Sequence, residues 1–409
     1  MKYLSQEKSF DLSKNVYFLI NTLFFLHVGF IGSTYILFFF DNGLEELVTN
    51  VVSAFFALSV FIFEIPSGAY SDIFGNRKAV LYGSLLLIFS MLIFSTGTTI
   101  SMFIVAQIIW GLSYALISGA LESWVIKQAK LQKEELQKLF ITSNKFSNIS
   151  MIVAGLIGGM LGNMSLRLPW ILSLISAITC FTLAYFFINE KNCNTTIVKK
   201  LSFKVGINEM KKVVVKSKDF ITSNQLTRYL IIFNLILGFF LTPIFTYWSP
   251  YFYELTGNRV WILGWIWVII KISNYGGNEI VQLLNSKNIN RNLILLTSII
   301  SISIALIIAA VTRNFGIVLL MFITFETILG IIQPIQQSYL NQSIPEEERA
   351  TLLSFNSMIS QLGRLASLLV MGSIAQLTTI STTWLVAGIG TFTTIILLKM
   401  INNPTFDVQ

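Results

Sequence analysis

The chain has 409 residues, of which 54% are hydrophobic and only 12% are charged. Because a water-soluble domain carries about 25% charged residues, this composition excludes an ordinary soluble enzyme and favours a protein that lipid surrounds. The net charge of +8 comes from basic residues that lie between apolar runs, without a basic stripe interleaved with aromatics, so we expect no nucleic-acid partner.

Twelve apolar runs are long enough to cross a bilayer, which takes about 20 helical residues. In chain order these predicted spans 1 to 12 cover residues 16–40, 46–67, 79–97, 100–126, 139–163, 168–188, 229–254, 260–283, 292–311, 315–340, 350–376 and 381–400. The first run lacks a small-residue cleavage site, so we expect it to remain as a span and not to be removed as a signal peptide. The sequence therefore predicts an all-α membrane protein.

The basic residues indicate how the chain is oriented. With the amino terminus inside, 22 Lys and Arg residues fall in inner segments and only 3 in outer loops. Basic residues accumulate on the cytoplasmic side of membrane proteins. We therefore expect both termini to be cytoplasmic, in a bacterial inner membrane.

The longest polar interval, residues 189–228, divides the spans into six plus six. This predicts a first helical bundle over 1–188, a cytoplasmic linker, and a second bundle over 229–409. Within the linker, IVKKLSFKVGINEMKKVVVK places apolar and lysine residues at helical spacing, as in an amphipathic helix on the inner leaflet. The linker is interpreted either as a tether between bundles or as a regulatory element.

A short turn rich in glycine and charge, GAYSDIFGNRK over residues 68–78, joins predicted spans 2 and 3. It resembles the signature G-x-x-x-D-R-x-G-R-R/K of the major facilitator superfamily of secondary transporters, which is matched by Gly68, Asp72, Gly75 and Arg77. Two positions, Ile73 and Asn76, depart from the signature. Further likenesses are SGALESW in span 4 and QPIQQSYLNQSIPEEERATLLS from span 10 into span 11. The resemblance implies the major-facilitator fold, with two pseudo-symmetric six-helix bundles that work by alternating access.

The turn is predicted to act as a gating loop. Gly68 would let span 2 approach a neighbour closely, and Asp72 would face the positive amino-terminal end of a helix, which the resemblance identifies as span 11. Arg77 would meet Glu122 near the inner end of span 4. Contacts of this kind would lock the outward-facing state and would break when the inner side opens. The alternative is that these charges only mark a membrane face.

Four ionisable residues fall near the middle of their spans, namely His27, Lys271, Glu326 and Arg364. A charge at mid-bilayer costs about 2.5–3.5 kcal/mol even on the mildest scale, so each must face protein or water. Glu326 has two possible partners of opposite sign, Lys271 and Arg364. We interpret the group as a titratable site, with His27 as a further proton-exchanging candidate. The alternatives are a structural ion cluster and a histidine that is simply hydrogen-bonded.

Glycines and aromatics give weaker signals. Gly158 and Gly159 of span 5 predict a close-packing face for another helix, which we place at the contact between the bundles. Aromatics late in span 7 and early in span 8, among them Trp248 and Trp267, are typical of the belt at a membrane interface. Their alternative role is to stack flat or cationic compounds.

Enzyme signatures such as HExxH, GxSxG and GxxxxGK[ST] do not occur, so we expect no catalytic residues, cofactor, metal or ATP use. The leading hypothesis is proton-coupled efflux of a small amphipathic compound, drug-like or a secondary metabolite. The first alternative is proton-linked uptake of a small nutrient, with an anion favoured because Lys271 and Arg364 outnumber Glu326. The second is a non-transporting sensor on the same fold. The expected partners are a small-molecule solute, protons and the lipid bilayer, with the protein as a monomer.

Overall fold

The computed structural model describes residues 2–129, 133–190, 224–286, 291–344 and 349–401, together with Ser217, Phe220 and Thr222. These residues fold into helices α1 (Lys2–Gly32), α2 (Tyr35–Asp41), α3 (Glu46–Phe74), α4 (Asn76–Thr96), α5 (Ile100–Ala129), α6 (Lys133–Gly162), α7 (Leu168–Phe187), α8 (Gln225–Leu255), α9 (Val260–Ser286), α10 (Arg291–Val311), α11 (Phe315–Ser343), α12 (Arg349–Leu377) and α13 (Ile380–Ile401). The predicted amphipathic segment of the linker lies outside the described residues.

The helices follow the predicted spans in order, with α1 and α2 together forming span 1. Their break at Ser33 and Thr34 was not predicted, and there the Ser33 hydroxyl donates to the carbonyl oxygen of Gly155 at 3.3 Å. Eleven helices of the described part are long and apolar enough to cross a membrane, by length and composition. Helix α9 is not among them, since polar residues follow Lys271 in its second half. Predicted span 8, which corresponds to α9, therefore remains a prediction, and so does the total of twelve spans.

Local sequence explains where the helices begin and bend. Asn224 and Asn314 cap α8 and α11, because each side-chain oxygen accepts a hydrogen bond from a backbone N–H of the first turn, at 3.0 and 3.1 Å. Pro169 lies in the first turn of α7, where a proline costs no hydrogen bond. Prolines inside α3, α8 and α11 are tolerated because neighbouring groups in a membrane bundle satisfy the freed carbonyls.

The chain divides into two compact units. The first contains Met1–Asn42, Phe55–Met210 and Val260–Trp265, and the second contains Gly43–Ala54, Lys211–Arg259 and Ile266–Gln409. Helices α3 and α9 thus each contribute to both units. The predicted bundle boundaries at 189–228 stay a prediction, because most of that interval lies outside the described residues.

Aromatic rings form the core of the first unit. Phe38, Phe39, Phe94 and Phe103 are fully buried around Trp170, and the rings of Phe94 and Trp170 stack with centroids 4.2 Å apart. Lipid is as apolar as these side chains, so packing contacts rather than escape from water hold such a core together. Each well-placed aromatic pair contributes about 0.5–1.5 kcal/mol beyond area burial.

The second unit also has a buried tryptophan near the start of its last helix, packed against other aromatic rings. Trp384 of α13 is fully buried and stacks on Phe322, with ring centroids 5.7 Å apart and planes 10° from parallel. The hydroxyl of Tyr251 beside it donates to the carbonyl oxygen of Ala309 at 2.8 Å. Each unit therefore has its own rigid aromatic core.

The glycines of α6 form a close-packing face, as predicted. A Cβ on Gly158 would lie 1.9 Å from the carbonyl oxygen of Phe30, so α6 and α1 touch backbone to backbone inside the first unit. A Cβ on Gly159 would lie 2.6 Å from the Cα of Gly264, at the start of α9, which belongs to the same unit. The contact of Gly158 with α1 therefore lies inside the predicted first bundle, whereas Gly159 contacts predicted span 8, in agreement with the place predicted for this face.

Candidate functional site

The candidate site lies in the second unit, around the carboxyl of Glu326. Glu326 is only 4% exposed, and on its own helix it follows the buried Phe322 and Phe325 and precedes the buried Leu329. Over residues 315–332, α11 is apolar apart from Glu326 and the two threonines near it, so this stretch offers the carboxyl no charged partner. A charged group in such a place needs a partner from another helix.

Helix α9 supplies two polar partners. The amide of Asn274 lies beside the carboxyl of Glu326, and the ammonium of Lys271 attracts this carboxyl electrostatically. Lys271 and Asn274 are three residues apart, so they lie on one face of α9. The prediction that Glu326 and Lys271 come together from separate helices agrees with the structure, while Asn274 was missed because a single uncharged amide gave no signal in the sequence.

Two glycines bring α9 and α11 together next to these side chains. A Cβ on Gly277 would lie 2.0 Å from the carbonyl oxygen of Thr327, and a Cβ on Gly330 would lie 2.1 Å from that of Asn274. The two backbones are therefore in contact one turn beyond Asn274 and Glu326. Such small-residue contacts are the usual way in which membrane helices approach closely. They fix the distance across which the polar groups interact.

An aromatic wall borders the site. The ammonium nitrogen of Lys271 lies 4.5 Å from the ring centroid of Trp267, which stacks on Trp248 with centroids 5.9 Å apart. Trp248 in turn stacks on Phe322, at 6.4 Å. A cation over an indole face is stabilised by the ring quadrupole. Trp248 is buried and so is not part of an interfacial belt, whereas Trp265 is 47% exposed and fits one.

The other two mid-span candidates are not part of this contact. Arg364 is exposed on α12 and is not among the groups that act on Glu326. His27 lies in the first unit, fully buried, with its ring 5.1 Å from that of Phe24 and 5.8 Å from that of Trp110. The hydroxyl of Ser173 donates to the backbone carbonyl oxygen of His27 at 2.7 Å.

The turn between α3 and α4 is built as its glycines suggest, but its predicted contacts differ. Gly75 has φ of +95°, a conformation that an L residue with a side chain rarely adopts. Asp72 is exposed. A Cβ on Gly68 would meet no atom within 4 Å, so the expected close approach at Gly68 is absent among the described residues.

Arg77 binds the end of α7 and not Glu122. Its guanidinium donates to the carbonyl oxygens of Ile188 at 2.6 Å and Tyr185 at 3.0 Å, while Glu122 is exposed on α5. The carboxylate of Glu190 accepts hydrogen bonds from two backbone N–H groups at the start of α4, at 3.1 and 3.0 Å. The expected pairing of Arg77 with Glu122 is therefore wrong. Sequence reasoning missed Glu190, because its partner lies more than a hundred residues away.

The geometry around Glu326 supports reversible proton binding. A buried carboxyl near an ammonium and an amide can exist in two states: ionised, with its charge compensated by Lys271, or protonated, with Lys271 able to attract another anion. No covalent chemistry is needed for this exchange. Among the described residues there is also no group of three or more His, Cys, Asp or Glu side chains placed to hold a metal ion.

Comparison with known proteins finds one matching family profile and several similar sequences. The profile described as Major Facilitator Superfamily matches residues 17–368. The chain is 25% identical over 399 residues to the MFS-type transporter YxaM of Bacillus subtilis strain 168, covering 95% of each chain. It is 28% identical over 187 residues to Multidrug resistance protein 2 of the same strain, covering 45% of this chain and 46% of that protein.

The fold agrees with solved structures. A point mutant of the nucleoside transporter NupG superposes with a TM-score of 0.79 at 11% identity, covering 96% of this chain and all of that chain. At this identity the likeness concerns the fold alone. The family profile spans well over half of the sequence, and the full-length relative and the fold agree with it. The chain belongs to the major facilitator superfamily of membrane transporters.

Proposed function

We propose that this transporter works by alternating access in a bacterial inner membrane, with both termini cytoplasmic, and exports a small amphipathic compound in exchange for protons. The observation that carries the proposal is the burial of Glu326 against Asn274 and Lys271 on a separate helix. The name of the Bacillus subtilis relative, Multidrug resistance protein 2, favours export of drug-like compounds.

The exchange at Glu326 follows from charge balance. When the carboxyl is ionised, Lys271 and Asn274 compensate it, and a cationic solute can take part in the same pairing. When a proton binds, the carboxyl becomes neutral and its attraction for a cation is lost. Proton and solute thus compete for one group, which is the requirement for exchange. The aromatic wall of Trp267, Trp248 and Phe322 offers flat apolar surface beside that group.

A ligand-stabilisation screen on the purified protein at two pH values tests this proposal. We expect hydrophobic cations to raise the unfolding temperature more at the higher pH, where Glu326 is more often ionised, and neutral aromatic compounds to show no such pH dependence. The variant Glu326→Gln should lose that pH dependence and, in vesicles with a pH gradient, the coupled transport. Glu279→Gln on the exposed side of α9 is the matched control and should behave as wild type. Equal pH dependence in wild type and Glu326→Gln would contradict the proposal.

A second candidate function is proton-linked uptake of a small anionic nutrient. It is favoured by the cation of Lys271, which protonation of Glu326 would release for an anion. Uptake predicts that organic anions, and not cations, stabilise the purified protein, and more strongly at the lower pH. The same screen therefore separates export of cations from import of anions. If the protein is instead a sensor, no compound should cross the vesicle membrane in either direction.

A further inference from the structure

The interior of the first unit contains buried polar atoms that have no protein partner. Both ring nitrogens of His27, the side-chain oxygen of Gln107 and the indole nitrogen of Trp170 are unpaired among the described residues. All three side chains have a relative exposure of 0%. Buried polar groups of native proteins are nearly always hydrogen-bonded, to protein or to ordered water.

These side chains belong to one connected cluster. The amide nitrogen of Gln107 donates to the hydroxyl of Tyr35, whose ring lies 6.0 Å from that of Trp170. The ring of Trp110 lies 6.2 Å from that of Tyr35 and 5.8 Å from that of His27. Gln107 and Trp110 are one turn apart on α5, and so are Trp170 and Ser173 on α7, where Ser173 bonds the backbone of His27. The unpaired atoms therefore lie within two neighbouring layers of the same core.

The unpaired atoms include both hydrogen-bond donors and hydrogen-bond acceptors. A neutral imidazole offers one donor and one acceptor, the Gln107 oxygen is an acceptor, and the Trp170 N–H is a donor. Direct bonds between them do not form in the structure, although the rings around them are packed. Buried water typically makes two to four hydrogen bonds to groups of this kind. Internal water therefore binds where buried donors and acceptors do not hydrogen-bond to one another.

We propose that His27, Gln107 and Trp170 line one internal hydrated site, whose ligand is water and which keeps the imidazole in proton exchange. The helices packed on α1 present Trp110, Tyr114 and Ser173 from α5 and α7, while α6 contacts α1 through Met151 and Ala154 near Gly29. The titratable groups around the site are Tyr35, whose hydroxyl accepts from Gln107, and Tyr114, whose ring lies 6.0 Å from that of Phe24, and among the described residues no ionised side chain acts on His27.

This inference goes beyond the proposed function, since it concerns the buried imidazole of His27 in the first unit, separate from Glu326 in the second. It stands independently of transport. The carbonyl oxygen of Phe24, one turn earlier, lies near the imidazole without the geometry of a hydrogen bond to either ring nitrogen. A direct bond to this oxygen is the competing way to satisfy one nitrogen, and it would leave the site dry.

The test uses the single histidine of the chain. Full-length protein labelled only with ¹⁵N-histidine and placed in lipid nanodiscs gives one imidazole signal, which reports on His27. We expect magnetisation transfer between water and the imidazole N–H, and its loss in Trp170→Phe and Gln107→Leu. Trp170→Phe keeps an aromatic ring against Phe94 but removes the donor N–H together with part of the buried ring volume.

The matched control is Trp384→Phe in the second unit, whose indole nitrogen is also unpaired among the described residues. It should leave the His27 signal and its water transfer unchanged. A wild-type imidazole that shows no transfer from water, with one nitrogen bonded to the Phe24 carbonyl oxygen, would overturn the inference. Unchanged transfer in both Trp170→Phe and Gln107→Leu would overturn it as well. The proposed function is tested by transport assays of Glu326→Gln, and the hydrated site is tested by the His27 signal. Failure of one proposal can therefore be told from failure of the other.

Discussion

Gly277 of α9 and Gly330 of α11 pack against each other without room for a side chain on either. A Cβ on Gly277 would come within 3.0 Å of the Cα of Gly330 and 2.0 Å of the carbonyl oxygen of Thr327. This contact lies one turn from Asn274 and Glu326. It therefore determines how far apart the carboxyl and its two polar partners are held.

The first prediction concerns this contact. Gly277→Ala should destabilise the protein by about 1–3 kcal/mol, because backbone must move to admit the methyl group. The neighbouring Gly276 is the control, since nothing lies within 4 Å of its added Cβ. Gly276→Ala should leave stability unchanged or raise it by up to about 1 kcal/mol, from helix propensity. Thermal unfolding of the two detergent-purified variants, side by side, measures the difference. Equal unfolding temperatures would contradict the close contact.

The second prediction concerns the charge partner of Glu326. Lys271→Met should destabilise the protein by about 3–5 kcal/mol when Glu326 is ionised, because it leaves a buried charge uncompensated. The loss should shrink at low pH, where the carboxyl is protonated and neutral. Unfolding temperatures across a pH series measure this dependence.

The double variant Lys271→Met with Glu326→Gln tests whether the two residues act as a pair. It should recover most of the stability lost in Lys271→Met, yet remain inactive in proton-coupled transport. Arg313→Met is the control, since its ion pair with Glu254, at 2.9 Å, is formed by side chains that are 57% and 65% exposed. Exposed pairs contribute little to stability. Additive losses in the double variant would show that Lys271 and Glu326 do not interact.

The third prediction concerns the attachment of the turn between α3 and α4. Arg77→Lys should lose the two carbonyl contacts at the end of α7, and Glu190→Ala should lose the cap of α4, each at a cost of about 1 kcal/mol. Lys78→Ala changes an exposed neighbour and is the control. Proteolysis rates of the folded protein would report loosening of this turn. If Lys78→Ala is cleaved as fast as Arg77→Lys, the assigned contacts are wrong.

The fourth prediction distinguishes the aromatic wall from the exposed tryptophans. Trp267→Leu should weaken binding of a stabilising compound by about 0.5–2 kcal/mol, roughly twofold to thirtyfold, because the aromatic wall beside Glu326 loses an indole face on which the compound can stack. Trp265→Leu, two residues earlier and exposed, should change the affinity little. Isothermal titration calorimetry with one screen compound measures both. A larger effect of Trp265→Leu would favour a binding surface elsewhere.

The sequence predicted the helices because runs of about 20 apolar residues have one interpretation in a membrane protein. It predicted the meeting of Glu326 and Lys271, because isolated charges at that depth need compensation. It did not predict the partner of Arg77, since Glu122 and Glu190 are equally plausible acids in one dimension and only the packing of α7 against α4 decides between them.

Uncharged polar residues were the main omission. Asn274 and Gln107 lie in apolar runs, where an amide gives no periodic or charge signal. Asn274 nevertheless lies beside Glu326, and Gln107 is one turn from Trp110, whose ring lies 5.8 Å from that of His27. Gly68 shows the opposite error, because the family signature suggested a close contact that is absent among the described residues. Which small residues touch another helix depends on helix rotation, and rotation is a tertiary property.

The three residues that follow α7 have a practical consequence for work with separated halves. Arg77 donates to the carbonyl oxygen of Ile188, the indole N–H of Trp124 donates to that of Asn189 at 3.1 Å, and Glu190 caps α4. If the gene is cut so that the two halves are made as separate polypeptides, the first must run through Glu190. A piece that stops at Phe187 lacks all three attachments and should be degraded, while one that ends three residues later should accumulate in the membrane.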